Sequence, residues 1–224
     1  MSHTLFITGT DTDAGKSYVS VALLNGLQQL AKTALAFKPI AAGVDDSGFN
    51  PDALHLQAAS SRPLAYQTVN PILFEEPCAP HLAGNIDLKI LTNWLTTIQA
   101  EPCDIALIEG AGGWLLPVSP EQYLADWVCQ QQWPVVLVVG MKLGCLNHAM
   151  LTYRELVRSG VPLVGWVANQ IDPQMLRFAD NFADLQQRLP IPLLGMLPYK
   201  TTEAAPADAL MLAQNLLRVL AEQR

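Results

Sequence analysis

Positive charge is scarce in this chain. Only 13 of its 224 residues are Lys or Arg, against 20 Asp or Glu, giving a formal net charge of −7. A field of that sign opposes nucleic acid and anionic membrane surfaces, so neither is an expected partner. Any anionic ligand must then be held by a local constellation of residues. Cysteine is sparse too: Cys78, Cys103, Cys129 and Cys145 form no CxxC pair and no zinc-ligand set, and read as free thiols of a reducing cytoplasm. Long apolar runs are missing. The strongest, "PVVLVVGM", falls far short of the roughly 20 residues a membrane helix needs. The N-terminus lacks a basic segment followed by an apolar core, so no signal peptide is expected. Charged residues make up only 15% and hydrophobic residues 50%, which excludes disorder and supplies a sizeable core. Repeats, low-complexity tracts and linkers are absent, so residues 1–224 are expected to form one domain.

What is present alternates. Short apolar runs appear as "TLFIT", "TALAFK", "DIALIE", "PVVLVV", "PLVGWVAN" and "PLLGML". Their continuity suits strands buried on both faces. Between them lie segments of helical spacing. Val19, Ala22, Leu23, Leu27 and Leu30 share one face, and "LKILTNWLTTI" and "MLTYRELVRSG" read likewise, the latter stopping at Gly160. Strand–helix alternation predicts an α/β fold, a mainly parallel sheet with helices on both faces. Ligands then sit at the carboxyl ends of the strands.

The first strand–helix junction is "GTDTDAGKS", residues 9–17. A Gly-bearing loop entering a helix near Lys16 points backbone N–H groups outward at the positive end of a helix dipole. Lys16 adds a full charge, and the Ser17 hydroxyl suits a phosphate-bound magnesium. The loop departs from the common G-x-x-x-x-G-K-[ST] pattern: Gly9 and Gly15 are separated by five residues, and Thr10 stands where the first Gly usually does. "EGAGGW", residues 109–114, lacks the third glycine of a dinucleotide fingerprint. Its Glu109 instead ends a buried strand, where a carboxylate can meet magnesium opposite Ser17.

Lys38 follows the strand of "TALAFKPIAAG". Alone it reads as a snorkelling lysine. Asp52, just inside the helix start of "NPDALHLQ", and the proline-stiffened "PCAPH", residues 77–81, make it a candidate second cation of a pocket. In "VVGMKLGCLNHAM" the spacing predicts a helix beginning near Asn147, whose free N-terminus suits a carboxylate while the Asn147 side chain serves as a cap. Asn169, closing the strand of "GWVANQ", offers either a purine-edge contact or a turn residue.

Together, "GTDTDAGKS", "KPIAAG", "NPDALHLQ", "VNPILFEEPCAPH", "EGAGGWLLPVS", "ADWV", "LVVGMKLGCLNHAMLT" and "GWVANQ" resemble the dethiobiotin synthetases. The resemblance runs from "FITGTDTDAGKS" to about "LLGMLPY". It implies a P-loop fold, ATP, magnesium, 7,8-diaminopelargonate and carbon dioxide as the other substrates, and a homodimer with the substrate site near the subunit interface. Lys16 and Lys38 are the implied catalytic pair. Ser17, Asp52 and Glu109 are the implied magnesium set. The nucleotide is expected to meet Asp13, Ala14, Gly15, Lys16, Ser17, Tyr18, Asp52, Glu109, Gly110, Ala111 and Gly112. On its adenine side it is expected to meet Asn169, Gln170, Pro198 and Tyr199. Substrate contacts are expected at Thr12 and Ala42, with Leu143, Gly144, Cys145 and Asn147 supplied by the neighbouring subunit. Ala42 and Ala79 stand where the family often has serine. The alternative is a P-loop switch ATPase that partitions DNA or binds membranes. Such proteins carry an extra lysine early in the loop, and "GTDTDA" has none. The C-terminal "ADALMLAQNLLRVLAEQR", with Leu210, Ala213, Leu217 and Leu220 on one side, reads as a helix packed on the sheet.

Overall fold

The computed structural model describes residues 3–84, 86–199 and 202–222. From the N-terminus, β1 (His3–Gly9) leads to α1 (Lys16–Gln29), β2 (Ala34–Phe37), β3 (Ile40–Ala42) and α2 (Pro51–Ala59). Next come α3 (Tyr66–Val69), β4 (Ile72–Phe74), α4 (Pro80–Ala83), α5 (Leu88–Gln99), β5 (Ile105–Glu109) and α6 (Leu124–Gln131). The chain continues through β6 (Val135–Met141), α7 (Cys145–Arg158), β7 (Leu163–Gln170), α8 (Phe178–Arg188), β8 (Leu193–Leu197) and α9 (Pro206–Glu222).

All six predicted apolar runs become strands of one parallel sheet, in the order β2-β5-β1-β6-β7-β8. Strands β5 and β6 are buried along their length and β7 at all but its two end residues, as continuous apolar runs require when helices cover both faces. One core packs α1 and α9 against the sheet through residues such as Leu23, Leu27, Leu212 and Leu216. The other holds Trp94, Trp127, Leu156 and Trp166 from α5, α6, α7 and β7.

Register decides what meets at the sheet's carboxyl edge. Phe37 pairs with Ile108, so the residues that follow, Lys38 and Glu109, leave at one level. Ile7 pairs with Glu109, which sets the start of the "GTDTDAGKS" loop beside that carboxylate. Gly140 pairs with Asn169 on the other side of β1. Strand order reverses around β1, the position where open parallel sheets bind their ligands.

Several expectations are corrected. The helix after β6 begins at Cys145. Gly144 holds its N-cap position at φ 93°, with no side-chain cap, so Asn147 is an exposed residue of the first turn and caps nothing. A left-handed φ suits glycine, which has no Cβ to clash. In α9 the buried stripe is Ala209, Leu212, Ala213, Leu216, Val219 and Leu220, while Leu210 and Leu217 are half-buried at its margin. Gln223 and Arg224, the end of that predicted stretch, lie outside the described residues. The three-residue strands β3 and β4 pair in a small parallel sheet beside the main one, an element the sequence reading lacked. "PCAPH" contributes the short α4.

Candidate active site

The phosphate loop is shaped by Gly15, at φ 82°. A Cβ there would lie 2.0 Å from Asn169 Nδ2, so only glycine lets the loop close over β7. Asn169 is 3% exposed. Its Nδ2 donates to Ala14 O at 3.0 Å, and its buried Oδ1 has no hydrogen-bond partner. Lys16 curls back over the loop. Its Nζ donates to Asp11 O (3.1 Å), Thr12 O (3.2 Å) and Gly112 O (2.6 Å). Burial without a hydrogen-bonded carboxylate pushes its pKa down to about 8, though the nearby Glu109 opposes the shift.

Lys38 has the opposite surroundings. Its Nζ lies 2.7 Å from Glu109 Oε1 and 3.6 Å from Asp52 Oδ2. Burial pulls its pKa down, but charge and hydrogen bonding from Glu109 and Asp52 outweigh that and leave it raised. Glu109, 1% exposed, also accepts from Ser17 Oγ at 2.7 Å and from Ser20 Oγ at 2.9 Å. Two asparagines fix the backbone around Lys38. Asn70 Nδ2 donates to Lys38 O at 2.6 Å. Asn50 accepts from Ala53 N to cap α2, which carries Asp52, and donates to Gly43 O at 2.8 Å.

Lys16, Ser17, Lys38, Asn50 and Asp52 open onto one cavity of about 1100 Å³, which Asn169, Gln170, Pro198 and Tyr199 do not line. Thr12, Asp13, Gly15, Lys16, Ser17, Tyr18, Lys38, Ala42, Asp52, Ala111 and Gly112 line it, and Ala41 with Pro77–Pro80 forms an apolar wall. Ala42 and Ala79 lie on that wall. Glu109 and Gly110 lie buried at the strand end beneath it. Gln170 and Tyr199 are joined by a 3.3 Å hydrogen bond next to Asn169, with Pro198 beside them. Leu143, Gly144, Cys145 and Asn147 do not line the cavity. Leu143 is 92% exposed and Cys145 is buried.

Magnesium prefers hard oxygen donors, commonly one or two carboxylates completed by phosphate and water. Glu109 Oε1 and Asp52 Oδ2 flank Lys38 Nζ, and Ser17 Oγ bonds the same Glu109 oxygen; the three oxygens fit that ion with a nucleotide. Among the described residues, no three His, Cys, Asp or Glu side chains form a self-sufficient metal cluster.

The sequence reading missed four contributors. Ser20 follows Ser17 by three residues on α1 and so shares its face. Asn50 and Asn70 each precede a proline, which holds them extended and frees their amides to bind backbone. Lys142 bonds Asp11 Oδ2 at 2.8 Å, a pairing across 131 residues that no local signal carries.

A phosphate loop at the switch point of a parallel sheet, with a carboxylate and a second lysine on the neighbouring strands, defines a P-loop nucleotide-binding protein. A family model described as AAA_26, AAA domain, matches residues 3–207. The chain is 45% identical over 207 residues to "ATP-dependent dethiobiotin synthetase BioD 1" of Salmonella typhi, covering 89% of this chain and 90% of that protein. It is 43% identical over 207 residues to "ATP-dependent dethiobiotin synthetase BioD" of Aliivibrio fischeri (strain MJ11), covering 89% and 91%. The chain belongs to the dethiobiotin synthetase family. Among solved structures, the MinC:MinD complex of Aquifex aeolicus matches with TM-score 0.61 at 13% identity, over 97% of this chain and 96% of that one. MinD of Pyrococcus horikoshii OT3, complexed with Mg-ADP, matches with TM-score 0.53 at 15% identity, over 100% and 96%. Likeness at that identity concerns the fold alone, so the MinD proteins share the architecture and the dethiobiotin synthetases share the sequence.

Proposed function

We propose that this protein carries out the ATP-dependent carboxylation of 7,8-diaminopelargonate and its ring closure to dethiobiotin, in biotin biosynthesis. One observation carries the reading beyond family membership: the phosphate loop, Lys38 and an apolar wall suited to an aliphatic chain line a single cavity. One substrate amine captures carbon dioxide as a carbamate. A carbamate oxygen attacks the γ-phosphorus of ATP, ADP leaves, and a carbamic–phosphoric anhydride forms. The second amine attacks the anhydride carbonyl, phosphate departs, and the five-membered urea closes. The protein supplies no covalent nucleophile. Its work is positioning and charge stabilisation.

Lys16 and the loop amides hold the phosphates, and Lys38 stands between the γ-phosphate and the carbamate, where negative charge builds. Magnesium held by Ser17, Asp52 and Glu109 would spread the charge of the phosphates. The Mg-ADP bound by the MinD relative supports such an ion on this fold. The unpaired Asn169 Oδ1 suits the exocyclic amine of adenine. Leu143, Gly144 and Asn147 are exposed and do not line this chain's own cavity, which supports a homodimer in which this helix start, Cys145 included through its backbone, meets the partner's substrate. Among the described residues no helix is long and apolar enough to cross a membrane, and four free thiols suit the cytoplasm. The test is incubation with ATP, magnesium, bicarbonate and 7,8-diaminopelargonate, followed by mass spectrometry for dethiobiotin. Product that requires all four is expected. Nucleotide binding without product would overturn the substrate assignment.

A further inference from the structure

The groups that would hold a metal already hold a cation. Glu109 Oε1 receives both Lys38 Nζ and Ser17 Oγ, each at 2.7 Å, and Ser20 Oγ takes Oε2 at 2.9 Å. Asp52 Oδ2 lies 3.6 Å from the same Nζ. Glu109 therefore has every oxygen engaged, and its strongest partner is the lysine. We propose that the Lys38 ammonium is the resident cation of the metal site, and that the divalent ion arriving with nucleotide exchanges with it. Lys38 is thereby handed to the γ-phosphate and carbamate. The inference rests on Ser17, Asp52 and Glu109 being the metal set.

Space, charge and a tethered main chain all favour the exchange. A magnesium ion must approach a carboxylate oxygen to about 2.0–2.1 Å, and around Glu109 Oε1 that space is shared by Lys38 and Ser17. An ammonium and a divalent ion on one oxygen would also repel strongly in so buried a place. Finally, the main chain of Lys38 is pinned, its N–H to Val69 O at 2.8 Å and its carbonyl by Asn70 at 2.6 Å. Only the four-carbon stem has to swing, and it swings into the cavity that Lys38 already lines. The catalytic lysine is then delivered only after metal and nucleotide are in place.

Manganese alone, followed by electron paramagnetic resonance on the full chain without nucleotide, tests this. The unmodified protein is expected to bind Mn2+ weakly. Lys38→Met, which removes the resident cation, is expected to bind it at least tenfold more tightly, and Lys38→Arg, which keeps a cation, is expected to stay weak. Equal affinity in the unmodified protein and Lys38→Met overturns the exchange. Should Lys38→Met fold poorly, thermal melting gives the second readout. Mn2+ is expected to raise the Tm of that variant more than that of the unmodified protein, and an equal effect overturns the proposal. Glu109→Gln separates the two readings. If it abolishes ATP-dependent Mn2+ binding while the affinities above are equal, the metal set stands and the exchange alone falls. If ATP-dependent Mn2+ binding survives Glu109→Gln, the metal set itself is wrong and the exchange falls with it.

Discussion

Two buried lysines face the same cavity, and they are held in opposite ways. Lys16 is 4% exposed and Lys38 is 5% exposed, so burial does not distinguish them. Partners do. Lys16 rests on three backbone carbonyls, which accept hydrogen bonds but carry no net charge. Lys38 rests on Glu109 and Asp52. The first is a positive charge left short of negative charge, ready for a phosphate. The second is already neutralised, a lysine that must be released before it can act on substrate. Burial and missing partners thus make a binding site, while burial with partners makes a poised one.

The largest expected effect is at Lys38. Lys38→Met should abolish ring closure, measured as dethiobiotin formation, while nucleotide binding stays measurable. It should also destabilise the fold by about 3–5 kcal/mol, because Glu109 is left as an uncompensated buried charge. The denaturant midpoint reads that loss. Lys16→Met should do the reverse. Nucleotide binding should be lost in calorimetry, yet the midpoint should hold or rise, because a buried ammonium without a bonded counter-charge is replaced by an apolar stem. Equal loss of stability in the two variants would break the comparison.

Much of this contrast was beyond a linear reading. Both lysines are legible as strand-end and loop cations, and the strands that carry them appear as apolar runs. The pairing of Lys38 with Glu109 spans 71 residues and follows from β2 lying beside β5, a neighbour relation that only the sheet order supplies. Asp52 was legible as a first-turn carboxylate, because Asn50-Pro51 is a cap followed by a helix-starting proline. The start of α7 was misplaced for a physical reason. Cap preferences favour Asn147, but the chain turns on Gly144, whose backbone conformation needs no side-chain signal. Strands β3 and β4 are too short to show any period, although β3 positions the cavity wall. The burial stripe of α9 was shifted because its sequence is apolar around much of the helix, and only packing on α1 and β8 picks the inner face.

A smaller effect sharpens the contrast through pH. The folded pKa of Lys16, about 8, lies below its ordinary 10.5. The unfolded chain therefore holds more protons between those values, and this group makes stability rise with pH across that window. A bound phosphate reverses the situation by supplying the missing negative charge. Above about pH 8, nucleotide binding should take up a proton, and affinity should fall by up to tenfold per pH unit. Calorimetry at about pH 8.5, in two buffers of different ionisation enthalpy, measures the uptake, and Lys16→Arg should remove it because arginine stays charged. Lys38, with its pKa raised, should contribute no uptake there. Uptake that persists in Lys16→Arg would assign the proton elsewhere.

The smallest effect belongs to a third cation, which reaches the phosphate loop from the connection between β6 and α7. Lys142 bonds Asp11 at 2.8 Å, but the two side chains are 33% and 42% exposed. The Lys142 hydrogen bond, with help from Thr12 N–H, holds the Asp11 carboxyl below the usual range. A depressed carboxylate contributes stability above its unfolded pKa and loses it as pH falls through the folded one. Solvent screening limits the contribution to about 0–1 kcal/mol. Asp11→Asn should therefore shift the denaturant midpoint by little at neutral pH and by nothing in strong acid, and salt should erase the difference. Lys142 is a lysine with one carboxylate partner in reach of water, where Lys38 has two and is buried. If Asp11→Asn costs as much as Lys38→Met, burial is not what gives the Lys38 pair its weight. The contrast between the two inner lysines would then have to rest on charge count alone.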